Sequence, residues 1–102
     1  MTKAYWVARV DVDDLEGYKS YVAANAEAFS KYKGKFLVRA GKFETMEGEA
    51  RSRNVVIEFP DYATAMACYK SPEYSKAKAL RETASEGDVI IVEGYDGPQP
   101  GD

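Results

Sequence analysis

The chain has 102 residues, 45% hydrophobic and 30% charged, the profile of one globular domain with a modest core. Its net charge of −3 argues against a phosphate-backbone binder, which needs a basic face. With no histidine and one cysteine, Cys68, the sequence excludes Ser-His and Cys-His catalysis, a histidine-ligated haem, most zinc and non-haem iron sites, and an intrachain disulfide.

Met1-Thr2-Lys3 begins no signal-peptide pattern, and no apolar run approaches the length of a membrane span. A cytoplasmic protein is therefore expected, with no membrane and no nucleic-acid partner.

The first expected strand is Tyr5–Val12. Trp6, Ala8, Val10 and Val12 alternate with Tyr5, Val7, Arg9 and Asp11. Asp13, with Glu16 three residues on, has the spacing of a capping box and predicts a helix from there to about Lys33, with Gly34 as its stop. The predicted apolar stripe is Leu15, Tyr18, Val22, Ala26, Phe29 and Tyr32. Asn25 lies on that stripe, where an amide needs partners; bonding to neighbouring backbone is the plain expectation.

Lys35–Glu44 reads as the second strand, with Gly41 as a candidate bulge. Phe36, Val38 and Ala40 would face one side, Leu37, Arg39 and Phe43 the other. A polar loop through Thr45–Ala50 leads to the third strand, Arg53–Phe59. There Val55, Ile57 and Phe59 alternate with Asn54, Val56 and Glu58.

Pro60 and Asp61 turn the chain into a helix expected to bury Tyr62, Met66 and Tyr69. Ser71-Pro72-Glu73 signals a break and restart, since serine caps and proline fits the first helical position. Tyr74, Ala77, Leu80 and Ala84 follow at helical spacing, and Gly87 is the expected stop. Asp88–Tyr95 is the last strand. Residues 97–102, rich in glycine and proline, are expected to be a disordered tail to a single domain of residues 1–96.

The order β-α-β-β-α-β predicts an α+β, ferredoxin-like fold: an antiparallel four-stranded sheet with two helices on one face. The helix-covered side is expected to carry Trp6, Ala8, Val10, Phe36, Val38, Val55, Ile57, Phe59, Ile90 and Val92. The open side would then show Tyr5, Val7, Arg9, Leu37, Arg39, Phe43, Val56, Glu58, Val89, Ile91, Glu93 and Tyr95. That surface is too apolar to leave in water, so a second copy packed sheet on sheet is expected, giving a homodimer.

Arg9, Arg39, Glu58 and Glu93 would sit among those apolar residues. Two readings remain. In one, a pocket in each subunit takes a small polar or anionic metabolite without metal or haem: Arg39 orients it, Glu58 is the acid or base, and Arg9, Glu93 and Tyr74 support them. In the other, the protein is a non-catalytic dimeric binding or accessory protein whose charges are interface ion pairs. Matched opposite charges favour the second; an excess of positive charge would favour a ligand. Cys68, among alanines, reads as a packed and inert thiol.

The segments Tyr5-Trp6-Val7-Ala8-Arg9-Val10, Phe36-Leu37-Val38-Arg39-Ala40-Gly41, Asn54-Val55-Val56-Ile57-Glu58-Phe59-Pro60 and Ser71-Pro72-Glu73-Tyr74 resemble the domain-of-unknown-function-1330 family, in order, from about Ala4 to Gly94. The resemblance implies a dimeric α/β barrel, a superfamily that also holds cofactor-free monooxygenases, muconolactone isomerase-like enzymes and haem-dependent decolorising peroxidases. It supplies no established reaction. A haem relative would need an axial histidine, absent here. A cofactor-free oxygenase would use an apolar pocket with asparagine, tryptophan and tyrosine. Trp6 and Asn25 are available for that, though on the helix-covered side.

Overall fold

The computed structural model describes residues 2–102. Its elements are β1 (Ala4–Val12), α1 (Leu15–Lys31), β2 (Lys35–Arg39), β3 (Arg53–Phe59), α2 (Tyr62–Lys70), α3 (Pro72–Glu82) and β4 (Ser85–Glu93). The strands form one antiparallel sheet in the order β2-β3-β1-β4. The helices cover one face only, and the molecule is 16 Å across its thinnest direction, the depth of two layers. Among the described residues no helix is long and apolar enough to cross a membrane.

Each helix begins on a side-chain cap, an arrangement worth about 1 kcal/mol apiece. Asp14, rather than Asp13, accepts from the Gly17 N–H at the start of α1. Asp61 accepts from the Thr64 N–H at 2.7 Å. Ser71 accepts from the Tyr74 N–H at 3.1 Å while its hydroxyl donates to the Cys68 carbonyl at 2.7 Å. Ser71 thus closes α2 and opens α3, and the break predicted at Ser71-Pro72 splits the second helix in two.

α1 ends differently from expectation. Lys33 takes the left-handed position (φ 63°), and the Gly34 N–H bonds back to the Phe29 carbonyl at 2.8 Å. Gly34 instead packs closely: a Cβ there would lie 3.1 Å from the Phe59 ring, which would have to give by a few tenths of an ångström. Gly87 does not stop α3, which ends at Glu82. It lies inside β4, where a Cβ would come within 2.6 Å of the Arg9 carbonyl oxygen.

The core is aromatic. Trp6 packs on Phe29, Phe59, Tyr69 and Tyr74 with ring centroids 4.9–5.6 Å apart, and its indole N–H donates to the Ala65 carbonyl at 3.0 Å. The buried positions of α1 are Tyr18, Tyr21, Asn25, Ala28 and Phe29; Leu15 and Ala26 of the predicted stripe point to solvent. In α2 the small residues Ala65 and Cys68 are innermost, not Tyr62, which lets the helix approach the sheet closely. In α3 Tyr74 and Ala77 are buried while Leu80 is exposed.

β4 and the part of β2 beyond Phe36 present faces opposite to those predicted. Phe36 pairs with Ile57, but Val38 pairs with Val56 and Arg39 with Val55, so a bulge at Leu37 shifts the register. Val38 is thereby turned to the open face and Arg39 to the helix side. In β4, Val89 pairs with Ala8, Ile91 with Trp6 and Glu93 with Ala4, so these three share the helix-side register, while Ile90 and Val92 take the open face. Ile90 is 57% exposed and Ile91 is half-buried against the core.

Candidate functional site

The bulge at Leu37 brings the candidate site together. Across the helix side of the sheet, Arg39, Val55, Ala8 and Val89 form one row; Arg53, Val10 and Gly87 form the next. Ala8 is a small residue between Trp6 and Val10, and it leaves a gap beneath the helices. Above the gap stand Tyr18, Tyr21, Val22 and Asn25 of α1 with Tyr74 and Arg81 of α3. The enclosed cavity is also walled by Trp6, Phe29 and Phe36. About 30 Å³ is open to water-sized spheres, where roughly 10–15 Å³ admits one water.

Three guanidinium groups line this cavity. Arg39 lies 4.1 Å over the Phe36 ring, Arg53 5.2 Å over Tyr18, and Arg81 5.9 Å from the Tyr21 ring centre. Among the described residues no carboxylate pairs with any of them; the ion pairs all involve other cations. The Nε atoms of Arg53 and Arg81 are buried without a hydrogen-bond partner. A cation–π contact is worth roughly 0.5–2 kcal/mol, whereas a buried donor without a partner costs about 1–3 kcal/mol, and more when charged. The rings offset part of that cost and leave the N–H edges free.

The polar groups deeper in are neutral. The Tyr21 and Tyr74 hydroxyls bond to each other at 2.9 Å. Burial pushes the pKa of both above the ordinary tyrosine value, so each is a protonated donor at neutral pH. Asn25, 5% exposed, makes no side-chain bond to neighbouring backbone, contrary to expectation, and its amide lies close enough to the Tyr21 hydroxyl to favour that group's ionised form. The lining contains no carboxylate, thiol or imidazole. The lining offers guanidinium and hydroxyl donors to an anion, but no side-chain base poised near neutral pH.

The sequence-derived candidates scatter over both faces. Arg39 and Tyr74 line the cavity. Glu58 lies on the open face, 3.4 Å from Lys3, so the sheet separates it from Arg39. Arg9 also lies on the open face, 3.3 Å from Asp88, which Arg51 contacts at 3.1 Å while reaching Asp11 at 2.9 Å. Glu93 is exposed at the edge strand, in register with Ala4. The four charges expected on one face are therefore divided, with Arg9 and Glu58 on the open side and Arg39 and Glu93 on the other. Cys68 is fully buried, its thiol pushed up to about 12 by burial, and is no nucleophile at neutral pH.

Arg53 and Arg81 were missed in the sequence although their spacing placed them. Arg53 stands two residues before Val55, on the face of Val55, Ile57 and Phe59. Arg81 follows Ala77 by four and Tyr74 by seven, on one helix stripe.

The four-stranded sheet with its helices on one side defines an α+β protein of the ferredoxin-like class. Within that class, the chain belongs to the family described as Domain of unknown function (DUF1330), which matches residues 3–95. Solved structures similar to it include a protein of unknown function from Rhodopseudomonas palustris, 19% identical over 94% of this chain and 85% of that one, with a TM-score of 0.77. SnoaB, a cofactor-independent oxygenase from Streptomyces nogalater, is 14% identical over 98% and 97% of the two chains, with a TM-score of 0.63. A dimeric ferredoxin-like protein of unknown function from Thermobifida fusca is 13% identical over 90% and 89%, with a TM-score of 0.59. At these identities the likeness is one of fold. No curated protein sequence matches the chain.

Proposed function

We propose that the protein is a homodimer in which each subunit binds a small anionic metabolite between its own helices and sheet. One observation carries the reading: Arg39, Arg53 and Arg81 line a single interior cavity with no carboxylate to neutralise them. A network that existed only for structure would be matched in charge, as it is on the open face. Arg39, at the exposed rim, orients the anion; Arg53 and Arg81 supply buried N–H donors; the Tyr21–Tyr74 pair, bonded to each other, has one hydroxyl proton left to donate from the far wall. Glu58, across the sheet, takes no part, and with it goes the acid or base first assigned to this site.

The dimer rests on the open face. Tyr5, Val7, Val38, Val56, Ile90 and Val92 form its apolar band, with the Arg9, Asp11, Arg51 and Asp88 network toward one end and Lys3 and Glu58 toward the other. At roughly 25 cal/mol per Å² of apolar area, covering such a band favours association. The Thermobifida fusca neighbour is described as dimeric.

Trp6 is the sole tryptophan and lines the cavity, so its fluorescence reports the site directly. Inorganic phosphate added at constant ionic strength is expected to shift that fluorescence saturably, with at least tenfold weaker binding in Arg53→Gln. Equal responses of parent and variant would overturn the anion site. Sedimentation equilibrium at micromolar concentration tests the dimer separately.

A second reading, cofactor-free oxygenation, is favoured by the presence of Trp6 and Asn25 in this same cavity and by the fold likeness to SnoaB. With no base in the lining, the substrate itself would have to reduce dioxygen. Oxygen uptake with a bound, readily oxidised substrate separates this reading from binding alone.

A further inference from the structure

We infer that the ligand is an aromatic or similarly flat apolar acid, one carboxylate on a ring, rather than a small polar anion. This rests on the anion-binding reading above and narrows it. The cavity is divided by chemistry: guanidinium groups sit at its rim and wall, whereas its body is apolar and aromatic. The Trp6 indole N–H is already spent on the Ala65 carbonyl, so Trp6 offers a ligand only its ring. Phe29 and Phe36 offer rings alone. In the closed cavity Trp6 and Phe29 pack on neighbouring rings. Once it opens to admit a ligand, an inorganic anion held by the arginines would lie against that apolar aromatic lining, and a neutral ring would leave the Arg53 and Arg81 Nε–H groups unpartnered. An acid with a flat apolar body satisfies both sets.

Entry follows from Arg81. It lines both the inner cavity and an outer polar groove of about 600 Å³ that lies along α3 and β4, and Val89 is shared by the two in the same way. Arg81 thus borders both spaces. Its movement toward an incoming carboxylate would join groove and cavity and admit a body larger than the closed cavity holds. Lys78 on the groove is a cation that favours such an approach, while Arg51 there is already paired with Asp11 and Asp88, and Glu82 and Glu86 line the same groove.

The test is a panel of four probes on the purified full chain at constant ionic strength: benzoate, acetate, phenol and inorganic phosphate. Binding is followed by Trp6 fluorescence and by calorimetry. Benzoate is expected to bind at least tenfold tighter than any of the other three, and to weaken at least tenfold in both Arg53→Gln and Arg81→Gln. Circular dichroism of each variant confirms that it is folded. If acetate or phosphate binds as tightly as benzoate, the aromatic-acid assignment is wrong while the anion site stands. If phenol matches benzoate, or no probe binds, the anion site and this inference fail together.

Discussion

The two faces of this sheet treat charge in opposite ways. On the open face every arginine has an acid beside it: Arg9 and Arg51 meet Asp88, and Arg51 also meets Asp11. On the helix-covered face Arg39, Arg53 and Arg81 have aromatic rings beside them and no acid. Surface pairs in high dielectric contribute little, typically below about 1 kcal/mol, and are suited to fixing register. Unpaired guanidinium groups with buried atoms cost stability, as the Nε atoms of Arg53 and Arg81 do here, and on the proposed reading a bound anion offsets that cost. The paired face suits a second copy of the chain, and the unpaired one an anion.

The contrast is testable at several scales. The largest effect belongs to the covered face. Trp6→Ala should cost about 3–5 kcal/mol in urea unfolding, because it opens a void among four rings. Ile90→Ala, on the open face, should cost less than about 1 kcal/mol in dilute monomer and act mainly by weakening association.

Replacing the arginines comes next. Arg53→Met should raise the stability of the free protein by about 1 kcal/mol while abolishing anion binding, since an apolar side chain of similar volume removes an unpaired charge. Arg9→Met on the open face should lower stability by no more than about 1 kcal/mol and leave ligand affinity unchanged. Destabilisation by Arg53→Met would erase the distinction between the faces.

The faces should also fail at opposite ends of the pH scale. Burial raises the Tyr21 and Tyr74 pKa values in the fold. The stability this represents is intact below the ordinary tyrosine value of 10.0 and is lost as pH climbs beyond it. Asp11 is depressed by the Ser52 backbone N–H, then by the Ser52 hydroxyl and Arg51. Its contribution is present above the ordinary value of 3.8 and disappears as pH falls below it. Tyr21→Phe should blunt the alkaline limb of a stability profile and Asp11→Asn the acid limb, each without altering the other. The smallest effect is local: Lys33→Gly should add about 1 kcal/mol or less by relieving the left-handed backbone at the end of α1.

How far the sequence could be read depended on contrast between neighbours. β1 and β3 were assigned to the correct faces because apolar residues alternate there with Arg9, Asp11, Asn54 and Glu58. In β4 the run Val89-Ile90-Ile91-Val92 is apolar at every position, so no alternation marks its inner side; pairing with β1 decides it. In β2 the bulge at Leu37 is a backbone event with no residue signature, and glycine drew attention to Gly41 instead. That one shift moved Arg39 across the sheet and separated it from Glu58. The helix break at Ser71-Pro72 was visible because its signals are chemical: a hydroxyl to cap and a ring that fits the first turn. Arg53 stands beside a polar loop, where a charge reads as solvated, although the parity of β3 turns it inward.

The central claim is that the covered arginines await an anion, and their own Nε–H groups can be watched. In a nitrogen-15 correlation spectrum of the arginine side chains, titration with benzoate at constant ionic strength should move the Arg53 and Arg81 Nε–H signals saturably and together. Those of Arg9 and Arg51, held by Asp88, should stay in place. Equal, non-saturating drift of all four signals would contradict the account.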